Sequence, residues 1–254
     1  MDPASQVFDI NKFKVSCGNC SLVELCLPRG LQLDEMDELE RIIRRARPLQ
    51  RGEYLYHLGE QFQNIYAVKS GALKVYKANE SGDEQILGFY LPGELLGLDA
   101  IETREHICTA IALETSSICA IPFSRLEELS LKLPGLQHQL HRLMSRELSS
   151  ENRSLMLLGK RSAEEKIATF LVNLSTRLHM LGYSASEFRL PMSRQEIGNY
   201  LGLTVETVSR IFSRLQRENL INIDRKLIKI TDNKGLLDMC AGQKENSSSK
   251  HTAA

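Results

Sequence analysis

Apolar residues follow two different rhythms along this chain. Between Arg47 and Pro122 they come in short runs, Ile65-Tyr66-Ala67-Val68, Ala72-Leu73-Lys74-Val75-Tyr76 and Ile86-Leu87-Gly88-Phe89-Tyr90-Leu91. Gly52, Gly59, Gly71, Gly82 and Gly93 punctuate them at intervals of seven to twelve residues. Short strand-like runs separated by glycine turns at that spacing predict an antiparallel sandwich or roll. Asp34 to Arg45 reads as a helix leading into it, with Leu33, Met36, Leu39, Ile42 and Ile43 on one side.

After Pro134 the rhythm becomes helical. Gln137 to Lys160 holds no proline, and its only glycine, Gly159, comes at the end. Met144, Leu148, Glu151, Leu155 and Leu158 advance by four, three, four and three residues, the repeat of a two-stranded coiled-coil seam and so of a dimerisation helix. A single buried helix face is the simpler alternative for so short a run. In a parallel pair the two Glu151 carboxylates would stand ~5 Å apart, and at an effective dielectric of ~20 they repel by roughly 3 kcal/mol. One layer of leucine packing contributes a similar amount, so such a pair is poised near balance.

Beyond Ser162 comes a helix with Ile167, Phe170, Leu171 and Leu174 on one face, then the stretch Ser193–Arg217. Ser193 caps a first short helix, and Glu196 three residues later completes a capping box. Ile197 and Leu201 face inward, and Gly202 falls where the chain must turn. Thr204 caps a second helix whose Val208, Ile211 and Leu215 point inward. Two short helices converging around a glycine make a helix-turn-helix. Ile221-Asn222-Ile223 and Leu227-Ile228-Lys229-Ile230 then form a hairpin, so the whole reads as a winged helix-turn-helix near residues 191–231. On the outward face Val205, Glu206, Ser209 and Arg210 suit base edges in the major groove of double-stranded DNA, while Thr207 and Arg214 suit phosphates. The plain alternative is that Glu206 and Arg210, four apart, form a surface ion pair.

Composition narrows the class. At 254 residues, 42% hydrophobic and 25% charged, the chain has the proportions of a soluble globular protein with room for two domains. Its formal net charge is zero, so no overall basic field announces nucleic acid. The basic footprint is local: seven basic against four acidic residues between Pro191 and Ile230. No stretch approaches the roughly 18 apolar residues of a membrane span, and Met1 to Lys14 carry no leader pattern, so the expected location is cytoplasmic, with no membrane contact. Six cysteines in a reducing compartment suggest metal or redox chemistry more than disulfides. Cys17, Cys20 and Cys26 have the form C-x2-C-x5-C, and either Cys108 or Cys119 is available as a fourth ligand. By spacing alone a four-cysteine zinc site and a [4Fe-4S] cluster stay equally open. An iron–sulfur redox enzyme or electron carrier would explain the cysteines but leave the helix-turn-helix idle, and no flavin- or nucleotide-binding glycine motif accompanies them.

The run Ile197-Gly198-Asn199-Tyr200-Leu201-Gly202-Leu203-Thr204-Val205-Glu206-Thr207-Val208-Ser209-Arg210 resembles the CRP/FNR superfamily of bacterial transcription regulators, and within it the FNR/Anr branch. The likeness extends through most of residues 17–241. It implies an α+β fold: an N-terminal antiparallel β-roll like that of cyclic-nucleotide-binding domains, a long dimerisation helix and a C-terminal winged helix-turn-helix. The corresponding divisions here are a cysteine-rich segment 1–30, a β-roll 31–134, a helix 135–160, a DNA-binding domain 161–241 and a disordered tail 242–254. The resemblance implies a [4Fe-4S] cluster and selects Cys119 as distal ligand, because Leu113 to Phe123 matches the segment that carries it. Cys108 is then a small buried hydrophobe and Cys240 a bystander. It further implies Glu206, Ser209 and Arg210 reading TTGAT-like palindromes, an oxygen-responsive activator that is a homodimer while its cluster is intact, and no enzymatic activity. The turn at Gly82 and Asp83 is either a contact with RNA polymerase or a solvated hairpin tip. Cyclic-nucleotide-binding relatives hold the phosphate with an Arg followed by a hydroxyl residue. Here Cys108-Thr109 stands in that place, Arg104 is displaced from it, and cyclic nucleotide is not an expected ligand.

Overall fold

The computed structural model describes residues 17–79, 81–159 and 161–242, with the side chains of residues 153–156 and 158 outside that set. A 3-10 turn, Cys17–Asn19, opens it, and α1 (Leu33–Ile42) follows. The β-roll comprises β1 (Arg44–Arg45), β2 (Tyr54–Tyr56), β3 (Asn64–Ser70), β4 (Leu73–Ala78), β5 (Glu84–Tyr90), β6 (Leu95–Leu96), β7 (Thr109–Ala112) and β8 (Ser117–Pro122). These form two antiparallel sheets, in the orders β1-β8-β3-β6 and β2-β7-β4-β5. Tyr56, Val68, Leu73, Val75 and Leu96 are buried together between them. The three expected strands are present as β3, β4 and β5. The first helix is shorter than expected, because Arg44 and Arg45 leave it to pair with β8. Leu33, placed on its inner side from sequence, is 80% exposed. At 100° per residue it stands about 120° around the axis from the fully buried Leu39.

Two helices leave the roll, α2 (Phe123–Lys132) and the long α3 (Pro134–Leu158), whose first residue is a proline, the position where its missing N–H costs nothing. Along α3 the buried Leu136, Leu140, Leu143 and Leu157 and the half-buried Glu147 and Ser150 repeat by fours and threes, and this stripe faces the protein's own core. The sequence-derived seam is the neighbouring stripe, one position on. Met144 is half-buried, Leu148 is 62% exposed and Glu151 is exposed; the side chains of Leu155 and Leu158 lie outside the described residues. The helix therefore satisfies its own core and still carries a second apolar stripe, which no described residue covers at Leu148.

The C-terminal part contains α4 (Ala163–Met180), β9 (Glu187–Arg189), α5 (Arg194–Leu201), α6 (Val205–Arg217), β10 (Ile221–Asp224), β11 (Leu227–Ile230) and α7 (Asn233–Cys240). The expected hairpin is β10–β11, extended by β9 to a three-stranded sheet. Buried side chains of α4, α5 and α6 share one core with Ala72, Ile86, Phe89, Leu91 and Leu113 of the roll. Polar groups fix this joint. The Ile86 N–H donates to Asn199 Oδ1 at 2.6 Å, and Asn199 Nδ2 donates to the Glu84 carbonyl at 2.6 Å. Arg177 forks onto both Glu94 oxygens at 2.8 and 2.6 Å.

Candidate functional site

Two places in the fold gather the chemistry. The first is a cavity of about 30 Å³ lined by Cys17, Cys20, Cys26 and Cys119, together with Arg45, Lys69 and apolar side chains. The turn and loop after Cys17 bring three of the thiols. The sheet brings the fourth, because Cys119 on β8 sits in register with Arg45 of β1 on one side and Ala67 of β3 on the other. Cys108 lies elsewhere. It is 3% exposed, just ahead of β7 in the opposite sheet, and its Sγ donates to Asp99 at 3.1 Å. Cys240 ends α7, and its carbonyl accepts from Arg161 at 3.2 Å.

Charge around the cavity is arranged. Glu40 accepts two hydrogen bonds from the Arg45 guanidinium and one from the Cys17 N–H at 2.9 Å. The Arg45 partner holds the Glu40 carboxyl down at about 2. The same guanidinium approaches Cys17 Sγ at 3.8 Å. Burial pushes the Cys26 thiol up to about 12, and it also pushes up those of Cys17, where Glu40 adds to it, and Cys119, where Arg45 opposes it. Cys17, Cys26 and Cys119 thus hold their protons more tightly than a free cysteine, and a metal bound by them displaces those protons. Among the described residues no three His, Cys, Asp or Glu side chains draw close enough to hold one metal ion. The four cysteines line one cavity without three of them converging on a single ion position. Arg45 and Lys69 escaped the sequence reading, since neither belongs to a motif and strand pairing alone brings them in.

The second place is the helix pair α5–α6. Ser193 and Glu196 form the expected capping box, and the Thr204 hydroxyl accepts from the Thr207 N–H at 3.2 Å. Gly202 takes the left-handed φ of 64° that stops α5. A Cβ on Gly198 would fall 2.7 Å from the Leu203 carbonyl oxygen, so only glycine lets the turn close. Val208, Ile211, Phe212 and Leu215 are buried. Val205, Glu206, Arg210 and Arg214 are exposed, and Thr207 and Ser209 half-exposed. No ion pair joins Glu206 to Arg210; Arg214 instead pairs with Glu218 at 2.7 Å and Glu164 at 3.4 Å. Arg194, Arg225 and Lys226 line a cleft of about 210 Å³ between α5 and the β10–β11 wing. That cationic edge was not singled out from sequence. A solvent-facing amphipathic helix, capped and braced beside such an edge, is built to enter a groove of double-stranded DNA.

Comparison with known proteins decides the lineage. Residues 46–132 match the cyclic nucleotide-binding domain family and residues 165–239 the Crp-like helix-turn-helix domain. The transcriptional activator protein Anr of Pseudomonas protegens is 52% identical over 90% of this chain and 94% of its own length. The chain belongs to the CRP/FNR family. The fumarate and nitrate reduction regulatory protein of Yersinia pestis is 45% identical, over 91% of this chain and 93% of its own. Among solved structures, FixK2 from Bradyrhizobium japonicum superposes with a TM-score of 0.71 at 31% identity, covering 78% of this chain and 97% of that one. This CRP/FNR-family chain is a DNA-binding transcription regulator of α+β fold, with antiparallel sheets first and a helix-turn-helix domain last. The exposed turn of Gly82 and Asp83 joins β4 to β5, where the Asp83 N–H bonds Asn79 Oδ1 at 2.8 Å.

Proposed function

We propose that this CRP/FNR-family regulator is an oxygen-responsive activator of anaerobic gene expression. In this reading Cys17, Cys20, Cys26 and Cys119 hold a [4Fe-4S] cluster, and a homodimer formed along Met144, Leu148, Glu151, Leu155 and Leu158 reads palindromic TTGAT-like DNA. One observation carries it: thiols from a loop and from the middle of a sheet share one cavity with two cations. Four cysteines that line one cavity without converging on a single ion position suit a polynuclear centre, whereas a single zinc needs its sulfurs about 3.8 Å from one another. Arg45 and Lys69 offset the negative charge of a thiolate-ligated centre. Such a cluster supplies the sensitivity to oxygen. The chain's own residues do the rest. The loop closes over the centre, α3 meets its partner copy, and two copies of α6 present Glu206, Ser209 and Arg210 to base edges while Val205 touches a thymine methyl and Thr207 and Arg214 meet the backbone.

Cyclic nucleotide is not the signal in this reading. Where a phosphate would need a cation, the Asp99 carboxylate sits on Cys108, and Thr109 Oγ1 accepts from the Leu58 N–H at 3.0 Å. Arg104 lies over the Phe123 ring at 5.4 Å instead. The Gly82–Asp83 turn is the surface offered to RNA polymerase. The regulator binds rather than catalyses and works in the cytoplasm; no helix among the described residues is long and apolar enough to cross a membrane.

The test is protein isolated without air. Iron, sulfide and a brown chromophore are expected, together with binding of a TTGAT palindrome that air abolishes. Cys119→Ser should lose the chromophore and Cys108→Ser keep it. Colourless protein containing zinc, or DNA affinity indifferent to air, would overturn the proposal.

A further inference from the structure

We infer that Gln139 is the positioning residue through which the cysteine loop governs α3. It stands on the core-facing stripe of the helix, 3% exposed, between Leu136 and Leu143. Its Nε2 donates to the carbonyl oxygen of Cys26 at 3.0 Å. Around that bond Leu27 and Leu31 of the loop pack with Leu136, Leu140 and Leu143 of the helix. Apolar contacts tolerate sliding because they have no direction. A hydrogen bond does not, since it is lost once donor and acceptor separate beyond about 3.5 Å. Gln139 thus makes a directional tie between this helix and a residue whose side chain lines the cavity. It lies five residues, about 7.5 Å along the axis, ahead of Met144, where the open stripe of α3 begins.

The inference deepens the proposed function and rests on its reading of Cys26 as a cluster ligand. A ligated Cys26 holds its carbonyl beneath Gln139 and so fixes the rotation of α3 that presents Leu148 and Glu151 outward. A Cys26 released from ligation lets the carbonyl turn away, and the amide is left among leucines without an acceptor, a state the helix relieves by shifting. The contact was invisible in the sequence, where Gln139 reads as one polar residue among several on α3.

Gln139→Met keeps the length and removes the donor; Gln139→Glu sets an acceptor against the carbonyl. Each is made in the wild-type chain and in a Glu151→Ala chain, and association is measured by sedimentation alongside iron and sulfide per chain. Cluster-loaded Gln139→Met should retain its chromophore yet associate about tenfold more weakly, the worth of one buried hydrogen bond, and Gln139→Glu more weakly still. In the cluster-free Glu151→Ala chain Gln139→Met should leave the association constant unchanged, which a merely structural role would not. Undiminished association of the loaded variant, loss of its chromophore, or an equal loss of association without the cluster would each overturn the inference while the cluster reading stands. A colourless wild type would instead remove the proposed function, and this inference with it.

Discussion

The cysteine loop and the DNA-reading domain are both docked against the β-roll and its helix, but their joints are built from opposite materials. The reading domain is held by groups that satisfy one another. Arg177 is forked onto Glu94 and also donates to the Phe89 carbonyl, Asn199 bridges two backbone groups of β5, and Lys74 reaches Glu196 at 3.4 Å. Phe89, Phe170 and Tyr200 pack together beside them. The loop is held by leucines, by the neutral bond from Gln139 to the Cys26 carbonyl and, at its start, by the Cys17 N–H on the Glu40 carboxylate, and burial pushes its Cys17 and Cys26 thiols up. The first joint needs nothing from outside. In the second, thiols that burial disfavours as thiolates line a cavity, so anything that binds them there stabilises the closed loop by mass action. The proposed sensing role requires that contrast: the end that reads should stay put while the cysteine end changes stability.

Breaking the self-sufficient joint gives the largest expected effect. Arg177→Met leaves the Glu94 carboxylate partly buried without its cation, at a cost of about 3 kcal/mol, the low end for a broken buried pair because both side chains keep some exposure. Thermal unfolding should show the loss equally with and without the cluster. A loss confined to the cluster-loaded state would mean that the two joints are not separate.

Next comes the proposed interface along α3. In the proposed parallel pair Glu151→Ala would remove a repulsion of roughly 3 kcal/mol, so cluster-free protein should associate about a hundredfold more tightly. Sedimentation in air checks it, and an unchanged monomer would mean that Glu151 does not face its counterpart. Asn199→Ala is expected to cost less, about 2 kcal/mol, because water replaces part of what the amide supplied to the exposed edge of β5. Its unfolding midpoint should fall while the iron content stays constant; a fall in iron would tie the reading joint to the sensing one.

How much of this was legible in the sequence depended on whether the cause was local. Ser193, Glu196, Gly202 and Thr204 act within four residues of their partners, so the helix-turn-helix could be read directly. The stripe of α3 was legible as a seven-residue repeat, but not that the helix carries two such stripes, since the one facing the core is interrupted by Gln139, Glu147 and Ser150. The cysteine cavity was half legible. Spacing showed three thiols and left Cys108 and Cys119 open, and only family resemblance chose between them. What places Cys119 at the cavity is strand register, with β1, two arginines long, on one side and β3 on the other. No hydrophobic pattern marks a strand of two charged residues, and so Arg45 stayed hidden with it.

The smallest effect is the one that sharpens the comparison most, because it sits where the joints meet. Glu147 on α3 accepts from the Tyr90 hydroxyl of β5 at 2.7 Å. Burial pushes its carboxyl up, and the carboxylates of Glu94 and Glu151 push the same way against Tyr90 and Arg177. A carboxyl raised in this way binds its proton more tightly folded than unfolded. Its contribution is therefore fully present below the ordinary glutamate value of about 4.3 and fades as the pH climbs through the higher folded value. Glu147→Gln removes that fade. The variant's unfolding midpoint should lie above the wild type's at neutral pH, by on the order of a degree or two, and the advantage should vanish near pH 4. If the variant keeps the wild type's slope across that range, the titrating group is not Glu147, and the polar junction of Tyr90, Glu94 and Arg177 is as indifferent to protons as the rest of its joint.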